Sequence, residues 1–399
     1  MPYSIRAGVR IEQLKNTKGM KIETIPEPQK LIFDIDTALV KEGEKIKKWQ
    51  KIGEKDGIGV FSGVSGSVTG LTDESITVEN DFMSLCENVM PVQTPIKELE
   101  SGQIAEILRN TGVMNGGEPA VNGIGKVNRL IVNLMETEPY LCASHRLALE
   151  NTAEILGGAK ILMKACGVRH AVIAVEYTKR DAIRALRDAL GLKKLFEIKA
   201  FEPKYPQDDP RQLIYALYGK ELSGDKSLLQ QGYGVFDTMC CVDTYRALVY
   251  GISAVSRYIT VDGDCIAKPK NLCVPVGTPL SHIIGYCGGF VKEPHKILDG
   301  SVMRGKAVYS TDYSVKRDTN GFIVLSQSFE KKRETDCINC GRCVKHCPMY
   351  LMPYRIVKGE MKGASSCTSC GICSYVCPAN ISLTQKISSL REAENSSKA

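Results

Sequence analysis

What this sequence lacks narrows the field. No run approaches the roughly 18 apolar residues a membrane-spanning helix needs, so no bilayer span is expected. The opening residues MPYSIRAGVR lack the apolar core of a signal peptide, so a cytoplasmic setting is expected. No basic stripe with interleaved aromatics is present, and the net charge of +7 is spread along the chain. Nucleic acid is therefore not an expected partner. The charge permits an acidic partner or a membrane surface without demanding one. At 399 residues, the chain is too long for one ordinary core and predicts roughly two to four domains.

Cysteine, by contrast, is abundant: 16 residues. Without an export signal, that number argues for metal rather than disulfides. Two runs read C-x2-C-x2-C-x3-C-P. The first is CINCGRCVKHCP, with Cys337, Cys340, Cys343 and Cys347; the second is CTSCGICSYVCP, with Cys367, Cys370, Cys373 and Cys377. This is the spacing of bacterial-type [4Fe–4S] ferredoxins, in which the fourth cysteine of each run reaches the other cluster. The expected ligand sets are therefore Cys337, Cys340, Cys343 and Cys377 for one cluster. Cys367, Cys370, Cys373 and Cys347 form the other set. Zinc knuckles use paired C-x2-C units instead. Gly341 and Gly371 would let the backbone wrap each cluster and aim amides at sulfur. The other eight cysteines are scattered among apolar residues and read as buried small hydrophobes. The adjacent Cys240 and Cys241 leave a redox or ligand role open.

Along the chain, residues 31–79 alternate short apolar runs with glycine turns, which predicts short strands. From about 100 to 245, apolar runs such as LIVNL, AVIAVEY and FEIKAF alternate with helical patterns such as IAEILRN and RDAIRALRDALG. That alternation predicts a mostly parallel sheet with helices on it. ALVYGISAVSRYITVDG and CVPVGTPLSHIIGYCGGF suggest a small mixed β unit. Residues 311–335, polar and charged, read as a connector. The stretch NTGVMNGGEPAVNGIGK (110–126) holds five glycines and resembles a phosphate-cradling loop.

Taken together, several segments resemble a known family. VKEGEKIKKWQKIG…SGVSGSVTGL resembles the barrel-sandwich hybrid of lipoyl carriers, although Lys55 lacks the flanking residues of a modified lysine. With METEPYLCASHRLALE, RQLIYALYGKEL, VPVGTPLSHII and the double cysteine tail, the ordered set resembles the C subunit of the Rnf complex, an ion-translocating ferredoxin-linked oxidoreductase. A more distant likeness is to the NADH-binding flavoprotein subunit of respiratory complex I. The resemblance implies a multidomain α/β and α+β fold. Its units would be a barrel-sandwich hybrid over 1–95, a flavoprotein-like α/β domain over 96–247, an SLBB-like β-grasp over 248–310 and a two-cluster ferredoxin-type domain over 330–390. It also implies a peripheral protein on the cytoplasmic side of the membrane. Its partners would be other membrane and iron–sulfur subunits and a ferredoxin-like carrier, which Arg342, Lys345, Lys358 and Lys362 could face.

Family members usually bind FMN and NADH in the α/β domain, and there this sequence departs. The family loop resembles G-x-G-G-x-G-F-P; here it is MNGGEPAV, keeping Gly116 and Gly117 but bringing in Glu118 and Pro119. One adds negative charge where a phosphate should sit, and the other removes an N–H. A family segment like N-G-A-E-C-E-P-Y is here Asn133 to Tyr140, keeping Glu136 and Glu138. A segment like N-V-G-T is here MCCVDT, residues 239–244. The expectation is that FMN and NADH binding is weakened or lost, with Glu136 and Glu138 bracing the loop. Three readings stay open: a ferredoxin-linked relay without NADH, an NADH-oxidising flavoprotein with a shifted loop, and a scaffold subunit.

Overall fold

A computed structural model describes residues 2–192, 194–224, 226–326 and 333–396. Short alternating strands build the first unit. Lys30–Asp34 buries Leu31 and Phe33 and pairs antiparallel with Ser75–Asn80. Gly66–Leu71 and Lys45–Ile46 complete that sheet. A second sheet, of Thr37–Ala38, Lys51–Lys55 and Ile58–Phe61, shares its apolar core, which includes Ile35, Ile52, Val60 and Val78. Asp56 and Gly57, both with positive φ, close the Lys55 hairpin, as a tight two-residue turn requires. Lys55 there is tied down: its ammonium meets Asp36 at 2.5 Å and its carbonyl accepts from Arg317 at 3.1 Å.

The central unit is a four-stranded, wholly parallel sheet in the order Phe196–Phe201, Ala171–Glu176, Arg129–Asn133, Tyr233–Asp237. Alternation decides its two faces. Leu130 and Val132 join the core beneath helices Ser101–Asn110, Thr152–Ala165 and Thr238–Tyr250, while Ile131 joins Leu213 and Ile214 of helix Pro210–Tyr218 on the other face. Gly157 and Gly158 bring two helices into contact: a Cβ on Gly158 would lie 1.8 Å from the Cys241 carbonyl oxygen. The long helical stretch 143–165 is a helix pair, broken at Asn151.

The third unit is a six-stranded mixed sheet under helix Leu280–Tyr286. Its order is Ile22–Thr24, Lys270–Pro275, Ser256–Asp262, Gly321–Leu325, Lys296–Asp299, Lys306–Val308. Residues expected to be connector thus supply an inner strand, Gly321–Leu325, because GFIVL is an apolar run inside a polar segment. The strand at Ile22–Thr24 comes from far upstream and pairs in parallel with Lys270–Pro275.

Short helices Arg342–Lys345, Pro353–Val357 and Ile372–Tyr375 and the longer Leu383–Ser396 form the last unit. The N-terminal segment straps it to the body. Tyr3 and Val9 bridge to Phe201 and Tyr205, and the Gly8 amide donates to the His346 carbonyl at 3.0 Å. Among the described residues, no helix is long and apolar enough to cross a membrane.

Candidate electron-transfer site

The two cysteine runs repeat with a constant offset, Cys337 to Cys367, and the backbone repeats with them. Asn339 and Ser369, Gly341 and Gly371, and Tyr350 and Asn380 all take positive φ at matching positions. The turns aim amides at sulfur. Asn339 N donates to Cys337 Sγ, Ser369 N to Cys367 Sγ, and Leu351 N to Cys347 Sγ, each at 3.4 Å.

Seven of the eight cysteines neighbour one another across the two runs. Cys343 lies within electrostatic reach of Cys337 and Cys377. Cys347 lies beside Cys370 and Cys367, and Cys373 beside Cys367 and Cys347. One pocket is walled by Cys347, Cys367, Cys370 and Cys373, with Leu351, Ile372 and Ile387 around them. Burial pushes the Cys347, Cys370 and Cys373 thiols up to about 11. Iron would reverse that preference by taking the thiolate, so metal binding here would expel protons. Among the described residues, no group of three or more His, Cys, Asp or Glu is arranged to hold a metal ion. A cubane asks for a different donor set, four thiolates spread over four irons. Thiols, amides aimed at sulfur and an apolar collar fit such a cluster.

A cleft of about 310 Å³ opens beyond the C-terminal ends of strands Arg129–Asn133 and Tyr233–Asp237. The sheet order reverses between these two strands, the usual ligand position in an open parallel sheet. Gly116, Glu136, Glu138, Asp237 and Met239 line the cleft together, so the three segments singled out in the sequence converge. Gly117 faces the adjoining hollow instead, with Lys55 and Arg317. Asp208, Asp299 and Asp318 add acid; Arg257, Arg304 and Lys306 are the bases.

The glycine loop is a hairpin rather than an open cradle. Met114–Asn115 pairs antiparallel with Glu118–Pro119 around Gly116–Gly117. Asn115 staples it to the sheet, donating to Val235 O at 2.8 Å and accepting from Asp237 N at 2.9 Å. Several amides at the mouth of the cleft already have acceptors. Asp237 accepts from Cys240 N at 2.7 Å, capping helix Thr238–Tyr250, and from Gly116 N at 2.6 Å. Glu136 likewise accepts from Ser144 N at 3.0 Å and His145 N at 3.4 Å, at the head of helix Ala143–Glu150. Burial opposes the Glu136 charge, but Lys179, Lys15 and the Ser144 amide hold it below the usual carboxylate range. Lys15, from the N-terminal strap, donates to the carbonyls of Glu136, Glu138 and Leu141 at 2.5–2.8 Å.

Comparison with known proteins adds the lineage. Family models match in order: a RnfC barrel-sandwich hybrid domain over 3–88, a Nuo51 FMN-binding domain over 117–250, an SLBB domain over 258–305 and a 4Fe-4S dicluster domain over 336–381. The chain is 30% identical to the C subunit of a Na(+)-translocating ferredoxin:NAD(+) oxidoreductase complex from Acetobacterium woodii, over 85% of this chain and 82% of that one. It belongs to the family of Rnf-type C subunits. The C subunit of an ion-translocating oxidoreductase complex from Rhodobacter capsulatus is 31% identical over 91% of this chain and 77% of its own. The C subunit of the proton-translocating ferredoxin:NAD(+) oxidoreductase complex of Clostridium ljungdahlii is 30% identical over 88% and 83%. Among solved structures, a chain of an NAD+-reducing [NiFe]-hydrogenase superposes with a TM-score of 0.51, at 11% identity, covering 86% of this chain and 76% of its own. At that identity the likeness concerns the fold.

Within this Rnf-type protein, Cys240 and Cys241 are fully buried, and burial raises both thiols well above their ordinary range. They sit in the first turn of Thr238–Tyr250, with Cys241 pressed against Gly158. Both are packed as small buried side chains. Cys86 is the exception among the eight scattered cysteines, being exposed. Two residues that sequence reasoning missed, Asp237 and Arg304, are central to the cleft. Asp237 had a local signal, an Asp directly before a helical run; Arg304 had none.

Proposed function

We propose that this chain is a peripheral electron-transfer subunit of a membrane-bound Rnf-type ion-translocating complex, on the cytoplasmic side, that exchanges electrons with a ferredoxin-like carrier. Cys337, Cys340, Cys343 and Cys377 hold one [4Fe–4S] cluster, and Cys367, Cys370, Cys373 and Cys347 the other. The observation that carries this reading is the interleaving of Cys347 with the second run and Cys377 with the first. Such clusters, when bound, pass single electrons. The chain's own residues supply thiolates, amides aimed at sulfur and the apolar collar that keeps water away. Exposed Arg342, Lys345, Lys358 and Lys362 offer charge to an acidic carrier. Other membrane and iron–sulfur subunits complete the assembly.

The flavin site is weakened or lost in this reading. A phosphate entering the cleft would meet the Asp237 and Glu136 carboxylates on both helix heads, where open amides are needed. Gly116 gives its amide to Asp237, and the residues present do not fit FMN as they stand. Glu136 and Glu138 brace the cleft instead.

A second reading, an NADH-oxidising FMN subunit, is favoured by the match of residues 117–250 to an FMN-binding domain and by relatives named as ferredoxin:NAD(+) oxidoreductases. Anaerobic purification separates the two. Iron near eight per chain (roughly four per cluster), no flavin band and no cluster bleaching on NADH addition support the first. Bound FMN with rapid reduction by NADH overturns it in favour of the second. A scaffold role is tested by Cys343→Ser, which should stop electron flow and leave assembly intact.

A further inference from the structure

The second cysteine run and the acidic cleft share a wall, the loop Ser301–Gly305. Gly371, next to Cys370, is pressed against that loop: a Cβ there would lie 2.9 Å from the Met303 carbonyl oxygen. Tyr205, fully buried, donates its hydroxyl proton to the Cys370 carbonyl at 2.6 Å. The same hydroxyl accepts from Arg304 Nε at 3.0 Å, and the guanidinium lies 5.2 Å from the Tyr205 ring centroid. On its other side Arg304 meets Glu138 at 3.6 Å and Asp208 at 3.4 Å. Glu138 also holds the loop, accepting from Met303 N at 3.2 Å. An unbroken polar line therefore runs from Glu138 and Asp208 through Arg304 and Tyr205 to a cluster cysteine. Cys340, the repeat counterpart of Cys370, is exposed.

We propose that Arg304 and Tyr205 set the reduction potential of the cluster held by Cys347, Cys367, Cys370 and Cys373, and tie it to the charge of the cleft carboxylates. The proposal rests on the two-cluster reading above. An added electron makes the cluster more negative, so nearby positive charge favours reduction. Arg304 supplies that charge. The Tyr205 bond to the ligand's carbonyl draws electron density the same way. Glu138 and Asp208 oppose it by neutralising Arg304. Arg304 and Tyr205 are positioning residues: Tyr205 bonds the Cys370 carbonyl, and Arg304 bonds Tyr205.

Glu138 makes the link sensitive to pH. Burial holds its carboxyl up to about 7, with Arg304 opposing and Asp208 reinforcing. It also faces the Ser301 hydroxyl and Met303 amide, while Lys15 binds its backbone carbonyl. Tyr205 and Asp209 also lie within electrostatic reach of Arg304. As Glu138 ionises, the net positive charge beside Cys370 falls.

The test is an EPR-monitored redox titration of the full chain, purified anaerobically, at about pH 6 and about pH 8.5, on either side of that carboxyl. Iron is counted first. Arg304→Gln and Tyr205→Phe should each lower one of the two midpoint potentials and leave the other in place. Arg304→Lys should recover most of the Arg304→Gln shift. Glu138→Gln should raise the same potential at the higher pH and leave it nearly unchanged at the lower. Two intact clusters with unmoved potentials in Arg304→Gln would overturn the proposal, as would equal shifts of both. A wild-type chain without two clusters would instead overturn the reading beneath it.

Discussion

Asp237 makes a sharp test of why the cleft refuses a phosphate. Its carboxylate serves two amides at once, Cys240 N at the head of Thr238–Tyr250 and Gly116 N of the hairpin. Asp237→Ala removes an N-cap, at about 1 kcal/mol. It also strips a charged acceptor from Gly116, nominally about 1.5–3 kcal/mol. Gly116 is exposed, so water recovers part of the second loss, and a total of about 2–3 kcal/mol is expected. Asp237→Asn keeps an equally good cap and should cost only about 1 kcal/mol. For a unit of this size each kcal/mol moves Tm by about 2–4 °C, so the alanine variant should melt roughly 5–10 °C early and the asparagine variant a few degrees early. Thermal unfolding by circular dichroism reads both. The same experiment with excess FMN tests the functional half. A ligand at 100 times its Kd stabilises by about 2.7 kcal/mol. Wild-type Tm should not respond to FMN. A rise of several degrees, or an alanine variant that melts with wild type, would refute the account.

Interleaving predicts that Cys347→Ser abolishes the cluster of the second run, and Cys377→Ser that of the first. Each variant should lose about four irons and a different EPR signal, and loss of each run's own cluster would contradict the pairing. Gly158→Ala places a Cβ 1.8 Å from the Cys241 carbonyl. Forcing the two helices apart should cost about 3 kcal/mol or more, read as a lower urea midpoint, whereas Gly102→Ala, with nothing within 4 Å, should cost nothing. Asp243 is buried, and burial raises its carboxyl from 3.8 to about 7 against the pull of Arg257 and Arg246. The folded chain therefore holds this proton more tightly than the unfolded one, and the group's contribution is complete below about 3.8 and lost as pH rises to about 7. Asp243→Asn should flatten the stability profile across that window, and an unchanged slope would assign it to other groups.

The legible parts of this chain were those written at short range. Eight cysteines at ferredoxin spacing and the strand–helix alternation from LIVNL to FEIKAF each needed only neighbouring residues to be read. The glycine loop was half legible. Its place beside the cleft followed from the family pattern, but glycine count does not distinguish a hairpin from an amide nest, and the deciding acceptor, Asp237, lies 121 positions away in the chain. The strand Gly321–Leu325 was missed because charged flanks hid a five-residue apolar run. The Tyr205 bond to Cys370 spans 165 positions, and no local pattern announces it. Pairings of that reach depend on how finished units dock.

The thirty-residue repeat of the cysteine runs has one more consequence. Two equal halves, standing alone, would offer a visiting carrier the same welcome at either end. Docking removes that equivalence. The half around Cys370 lies against Tyr205, Met303 and the strap residue Val9, while the half around Cys340 leaves Ile338 and Val344 in the open beside Arg342 and Lys345. A duplicated module becomes a polarised one, its Cys370 side set against the body and its Cys340 side more open to solvent.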